Sequence, residues 1–105
     1  MDKTLDADQL VRGMLYFAVL ATVEKKESYG AQILIALEKT PFTTRAGTLY
    51  PLMTRMEQAG LISSRWVIKQ GKPPMRYYTI TTKGQTRLQD SRSVLERINE
   101  VVGGI

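Results

Sequence analysis

Neither histidine nor cysteine occurs in this 105-residue chain, and tryptophan occurs once. Those absences exclude disulfides, zinc held by Cys or His, haem or copper ligation through imidazole, Ser/His/Asp triads, cysteine nucleophiles and CxxC redox couples. Ser, Lys, Asp or Glu chemistry survives, yet the chain has no SxxK, no GxSxG, no paired carboxylates in one motif and no phosphate-cradling glycine loop. An enzyme is therefore not expected, nor a metal or a cofactor. No imidazole is present to switch charge near neutral pH. Long apolar runs are missing too. The longest, Gly13 to Ala21, stops well short of the ~18 residues that a bilayer span requires, and Asp2 and Asp6 spoil the basic start of a signal peptide. The expectation is a cytoplasmic protein with no membrane association.

What is present is a charge pattern. The 15 Lys and Arg outnumber the 10 Asp and Glu, and the cations are concentrated. From Lys39 to Arg87 nine of them face a single acid, Glu57, while the segments on either side are weakly acidic. Such a block is an electrostatic footprint for phosphate backbones, with ordinary solvated surface as the competing reading. A chain of this length makes one domain with a modest core, and association with a second copy would relieve its shortage of buried surface.

Periodicity divides the chain into four helices and a hairpin. Asp6 with Gln9 forms a cap, and Leu10, Val11, Met14, Leu15, Ala18 and Val19 then repeat at helical spacing to about Glu24. The apolar face of this helix is wide enough to be covered on more than one side. Ser28 caps a short second helix whose stripe is Ile33, Leu34 and Leu37, ended by Thr40 and Pro41. Thr44 or Thr48 caps a third, with Leu49, Leu52, Met53 and Met56 inward and Gly60 closing it. Pro51 falls in the first turn if Thr48 is the cap and bends the helix if Thr44 is. The opposite face holds Thr44, Gly47, Pro51, Thr54 and Gln58, flanked by Tyr50 and Arg55, with no carboxylate.

Two runs rich in β-branched and aromatic residues follow, Ile62 to Ile68 and Met75 to Thr81, joined by a tip containing Lys69, Lys72, Pro73 and Pro74. Tyr77 and Tyr78 take opposite faces of the second strand, one inward and one outward. Trp66 reads as a core or interface ring. Thr81 or Thr82 caps the last helix, Thr82 making a capping box with Gln85. Leu88, Ser91, Leu95, Ile98, Val102 and Ile105 then step by threes and fours, a short heptad seam that packs on the first helix or on a second copy. The fold class is mainly α with a small β-hairpin. Helices two and three read as a helix-turn-helix and the basic hairpin as a wing.

The run Gly47, Thr48, Leu49, Tyr50, Pro51, followed by Arg55, Met56, Glu57, Gly60, Leu61 and Ile62, resembles the recognition-helix signature of PadR-like transcriptional regulators. Tyr29 and Gly30, Arg76 with Tyr77 and Tyr78, and Thr81 with Gly84 match in order and spacing, so the likeness runs from about Leu10 to about Leu88. The resemblance implies a single domain over 1-105: a winged helix-turn-helix, residues 8-81, that binds double-stranded operator DNA, and a C-terminal dimerisation helix, residues 82-105. It implies a homodimer, usually a repressor, on an inverted-repeat operator, with a small-molecule effector in many relatives. Two departures stand out. Tyr29 and Gly30 are swapped relative to the commonest family order, and the last helix has no aromatic residue, so the tryptophan-lined ligand site of some short members is not supported.

On this reading Thr44, Arg45, Gly47, Thr48, Tyr50, Thr54 and Arg55 lie at the major groove, since groove edges and phosphates require donors and acceptors on a slim face. Arg55 pairs with guanine or with phosphate, and Tyr50 reaches DNA or packs under the wing. Lys69, Lys72 and Arg76 follow the minor groove or flanking phosphates. Ser28, beside Tyr29, offers a phosphate site at a helix N-terminus or is simply a cap. Leu10, Met14 and Phe17 with Leu88, Leu95, Ile98 and Val102 form the dimer contact, and Met14, Tyr16 and Phe17 line an effector cavity. The alternative from another class is a winged-helix adaptor that presents the same basic surface to a protein.

Overall fold

The computed structural model describes the backbone from Ala7 to Gly104 and the side chains from Gln9 onward. The expected Asp6 cap and the Ile105 end of the heptad seam lie outside the described residues. Helix α1 spans Ala7–Lys25 and sends Leu15, Val19, Leu20 and Val23 into the core. Helix α2, Gly30–Leu37, adds Ile33 and Leu37, and α3, Ala46–Gln58, adds Leu49, Met53 and Met56. Strands β2, Ile62–Val67, and β3, Met75–Ile80, form the expected hairpin, and α4 spans Thr82–Gly103. Every inward residue of the third-helix stripe except Leu52 is fully buried, and Leu52 packs against the same core.

The sheet has a third strand that periodicity did not reveal. Ser28–Tyr29 form β1, which pairs antiparallel with β3, giving the order β1-β3-β2. Two residues are too few to show alternation, so by sequence they stand at the start of a helix. Consequently Tyr29, not Ser28, is the N-cap of α2, and its backbone N–H donates to Gln32 Oε1 at 3.1 Å. Ser28 is buried, and its hydroxyl donates to the Lys26 carbonyl at 2.8 Å.

Caps also differ from expectation. Helix α3 begins after Arg45, whose extended backbone caps through its own carbonyl; neither Thr44 nor Thr48 caps with its hydroxyl. Pro51 therefore stands in the second turn, where its missing N–H leaves the Gly47 carbonyl without a helical donor. At the other end Gly60 takes φ +78, Leu61 N–H donates to Met56 O and Gly60 N–H to Glu57 O. That Schellman closure turns the chain sharply and delivers Leu61 and Ile62 into the core at the start of β2. Thr81, and not Thr82, caps α4 by accepting from Gly84 N–H, while its own hydroxyl donates to Gly60 O at 2.6 Å. Gly84 sits so close to the Leu61 carbonyl and Ile80 that no side chain fits there.

Candidate nucleic-acid interface

Helix α3 presents three faces. The core stripe is buried; Gly47, Thr48, Tyr50, Pro51, Thr54, Arg55 and Gln58 are exposed; and Glu57, between them, turns toward the hairpin. The exposed face carries no carboxylate, as the sequence indicated. Arg45 is exposed at its N-terminus and Thr44 is half-buried behind it. The Thr54 hydroxyl donates to the Tyr50 carbonyl at 3.1 Å, which leaves its oxygen able to accept a further bond on the exposed face. No internal neighbour comes within 4 Å of a Cβ built at Gly47, so nothing inside the chain demands glycine there.

The Tyr50 ring lies against the first turn of α2. A Cβ at Gly30 would collide with its Cε1, so the Tyr-Gly order at 29 and 30 makes room for this ring. Tyr29 itself meets Tyr77 edge-on, with ring centroids 5.4 Å apart. Tyr50, Gly30, Trp66, Arg76 and Tyr78 line one shallow concavity of about 340 Å³ between α2, α3 and the hairpin. Trp66 is 61% exposed there, so of the two expected readings, core or interface ring, the core one is excluded. Of the two adjacent tyrosines, Tyr78 packs on the core and Tyr77 stands on the other face beside Arg65. Burial pushes the Tyr78 phenol above its ordinary value, against the pull of Arg76.

The hairpin tip is a turn in which Lys72 N–H donates to Lys69 O and Gly71 takes φ +77, as a type II turn requires at its third position. Lys69 and Lys72 are exposed on it. Two basic residues of the strands are engaged within the chain. Arg76 donates from Nε to Ser64 Oγ (2.8 Å) and from Nη2 to Glu57 Oε1 (2.9 Å), while Ser64 Oγ donates to Glu57 Oε2 (2.7 Å). Its guanidinium also lies over the rings of Trp66 and Tyr78. Arg65 holds Glu27 through two bonds of 2.6 and 2.8 Å and depresses that carboxyl's pKa. Arg76 is thus ion-paired within the chain while its side chain stays 43% exposed. Ser28, by contrast, is removed from the surface set by its burial in β1. The Glu57 network was missed because a lone acid in a basic block has no spacing signature; only strand register reveals its partners.

Away from this surface, α1 and α4 enclose an open apolar groove of about 740 Å³, walled by Leu10, Met14, Tyr16 and Phe17 on one side and Val94, Leu95, Ile98 and Val102 on the other. Leu10, Val94, Ile98, Val101 and Val102 are each more than half exposed, and Leu95 is half-buried. Leu88, expected in the same contact, is 2% exposed and belongs to this chain's own core. The seam divides at Ser91: its first turns pack inward, its last turns face out. Arg92 and Glu24 pair across the two helices at 3.0 Å. Among the described residues no helix is long and apolar enough to cross a membrane, and no acidic, His or Cys cluster could hold a metal.

Comparison with known proteins matches residues 19–90 to the family model described as the transcriptional regulator PadR-like family. A transcriptional regulator of Mycobacterium tuberculosis, Rv3488, is 31% identical over 94 residues, covering 89% of this chain and 87% of that protein. Among solved structures, a PadR-like transcription factor from Bacteroides fragilis superposes with a TM-score of 0.81 at 32% identity, over 91% of this chain and 93% of that one. A PadR-like transcriptional regulator from Bacillus cereus gives 0.83 at 29% identity, over 91% and 94%.

Proposed function

The chain belongs to the PadR-like family of transcriptional regulators, a DNA-binding regulator and not an enzyme, and from that premise we propose that it represses transcription as a homodimer seated on an inverted-repeat operator. Helix α3 enters the major groove, with Thr44, Thr48, Tyr50, Thr54 and Arg55 at base edges and phosphates and Arg45 at the flanking backbone. Gly47 lets the backbone approach closely. Lys69 and Lys72 follow phosphates beside the minor groove, and Tyr29 supports the Tyr50 side of the concavity. The observation that carries this reading is the outward face of α3: exposed, rich in hydroxyls and free of carboxylate, with its neighbouring acid turned away into the hairpin. A backbone-binding surface gains by having no repulsive charge at its centre.

The homodimer rests on the α1/α4 groove. Apolar surface this concentrated on two adjacent helices marks an association site, and the heptad spacing from Leu95 through Ile98 to Val102 suits a second α4. In domain terms, residues 8-81 form the DNA-binding part and the outward half of α4 the dimer contact. An aromatic effector entering beside Met14, Tyr16 and Phe17 would change the spacing of the two α3 helices and relieve repression.

The test is selection of a randomised duplex library on purified protein at about 0.15 M salt, which suppresses binding through phosphates alone. An enriched inverted repeat with half-sites about one helical turn apart is the expected outcome. Retention without sequence preference refutes operator reading, and retention of no duplex turns the surface over to a protein partner.

A further inference from the structure

The strongest feature left unused by this reading is the Glu57–Ser64–Arg76 triangle. It joins three elements: Glu57 from the end of α3, Ser64 from β2 and Arg76 from β3. Each side chain makes two of the three bonds, so both carboxylate oxygens, the shared hydroxyl and two guanidinium nitrogens are engaged at 2.7 to 2.9 Å. The Arg76 guanidinium also lies over the Trp66 and Tyr78 rings, 5.8 and 5.7 Å from their centroids. Arg76 stands just behind the tip that carries Lys69 and Lys72, and opposite Trp66 in the strand register.

We propose that this triangle is a clamp that fixes the hairpin at one distance from α3, making Glu57 and Arg76 positioning residues for DNA recognition rather than DNA contacts. The inference rests on the α3-and-wing reading above. Two cationic elements that must meet successive grooves of one duplex bind well only if their separation is set beforehand; an unclamped hairpin must be ordered at the moment of binding. A forked guanidinium suits the task because it meets a carboxylate and a hydroxyl in one plane, which an ammonium does not.

The clamp makes an unusual prediction about sign. Glu57→Gln removes the one acid in the basic block, adding positive charge beside DNA, and simple electrostatics then expects tighter binding. The clamp expects the reverse: operator affinity about five- to tenfold weaker, the magnitude of one net intramolecular hydrogen bond, with the salt slope unchanged. Arg76→Lys, which keeps the charge, should lose as much as Arg76→Met, and combining Glu57→Gln with Arg76→Met should be no worse than either alone.

Two readouts need no DNA. Trp66 is the only tryptophan, so its emission should shift when the guanidinium leaves its face, and amide exchange across residues 68–75 should quicken in Glu57→Gln while α1 stays protected. Thermal unfolding by circular dichroism confirms that each variant is folded. If Glu57→Gln binds operator as tightly as the parent or more so, or Arg76→Met flattens the salt slope while Arg76→Lys does not, the clamp is wrong and Arg76 is a phosphate contact. If the unaltered protein fails to select DNA, it is the α3-and-wing reading that falls, and the emission and exchange measurements still decide the clamp.

Discussion

The salt dependence of operator binding separates free cations from spent ones. Arg45, Arg55, Lys69 and Lys72 are exposed and make no ion pair among the described residues, whereas Arg65 and Arg76 are held by Glu27 and Glu57. In a dimer these four cations of α3 and the hairpin tip become eight. At a slope of roughly −0.9 per neutralised phosphate, log affinity should fall against log salt with a slope of about −7, a loss of about four decades between 50 and 200 mM. Counting the two paired arginines as well would steepen the slope to about −11 and the loss to more than six decades. Fluorescence anisotropy with a labelled selected duplex, titrated at five or so salt concentrations, measures this directly. Lys72→Ala should flatten the slope by about 2, one phosphate per protomer, and weaken all sequences alike. Arg55→Ala should instead cost about 1–3 kcal/mol on the operator alone if it reads a base. A parent slope near −11 refutes the exclusion of the paired arginines. One shallower than about −4 refutes simultaneous engagement of α3 and the hairpin.

Three further outcomes follow from the packing and the charges. Gly84→Ala forces a methyl group into the Leu61 carbonyl, a backbone atom that cannot step aside, so it should destabilise by about 1–3 kcal/mol despite alanine's better helix propensity, read as a lowered Tm. Leu88→Ala should cost about 2–5 kcal/mol of stability, whereas Ile98→Asp should leave the fold intact and yield monomers by sedimentation velocity, because the two residues lie on opposite sides of the division in α4. Glu27 has its carboxyl pKa lowered by Arg65. Its contribution is therefore complete above the ordinary value of 4.5 and vanishes as pH falls through the depressed one, so Glu27→Gln should matter little in acid and show a small loss of Tm only at higher pH.

How much of this was legible in the sequence depends on the kind of signal. Elements that bury a periodic stripe were readable: α1, α3 and α4 follow from spacing, and the Gly60 closure from the glycine after Ala59. The two-residue β1 was not, since it exists only through its pairing with β3. Leu88 and Ile98 both lie on the seam, yet one is core and the other surface, because beyond Ser91 α1 and α4 are separated by an open groove. Among candidate site residues, the α3 face was legible because its composition is set by what it excludes. The ion pair of Arg76 and the burial of Ser28 were not legible, because a residue's type shows its chemistry and not which partner has already claimed it.

The three faces of α3 bear on how such a protein changes its mind. Residues that would read the duplex (Thr48, Thr54, Arg55) are exposed, on a different face from those that seat the helix (Leu49, Met53, Met56) or tie it to the hairpin (Glu57). Substitutions at the first group can therefore accumulate singly, each altering operator preference at little cost to folding, whereas Glu57, Ser64 and Arg76 must change in concert or not at all. Descendants of one ancestral chain would then diverge in the genes they govern while keeping an identical frame. A library randomised at the reading positions alone should be rich in folded members, and sorting it on foreign duplexes would replay that divergence at the bench.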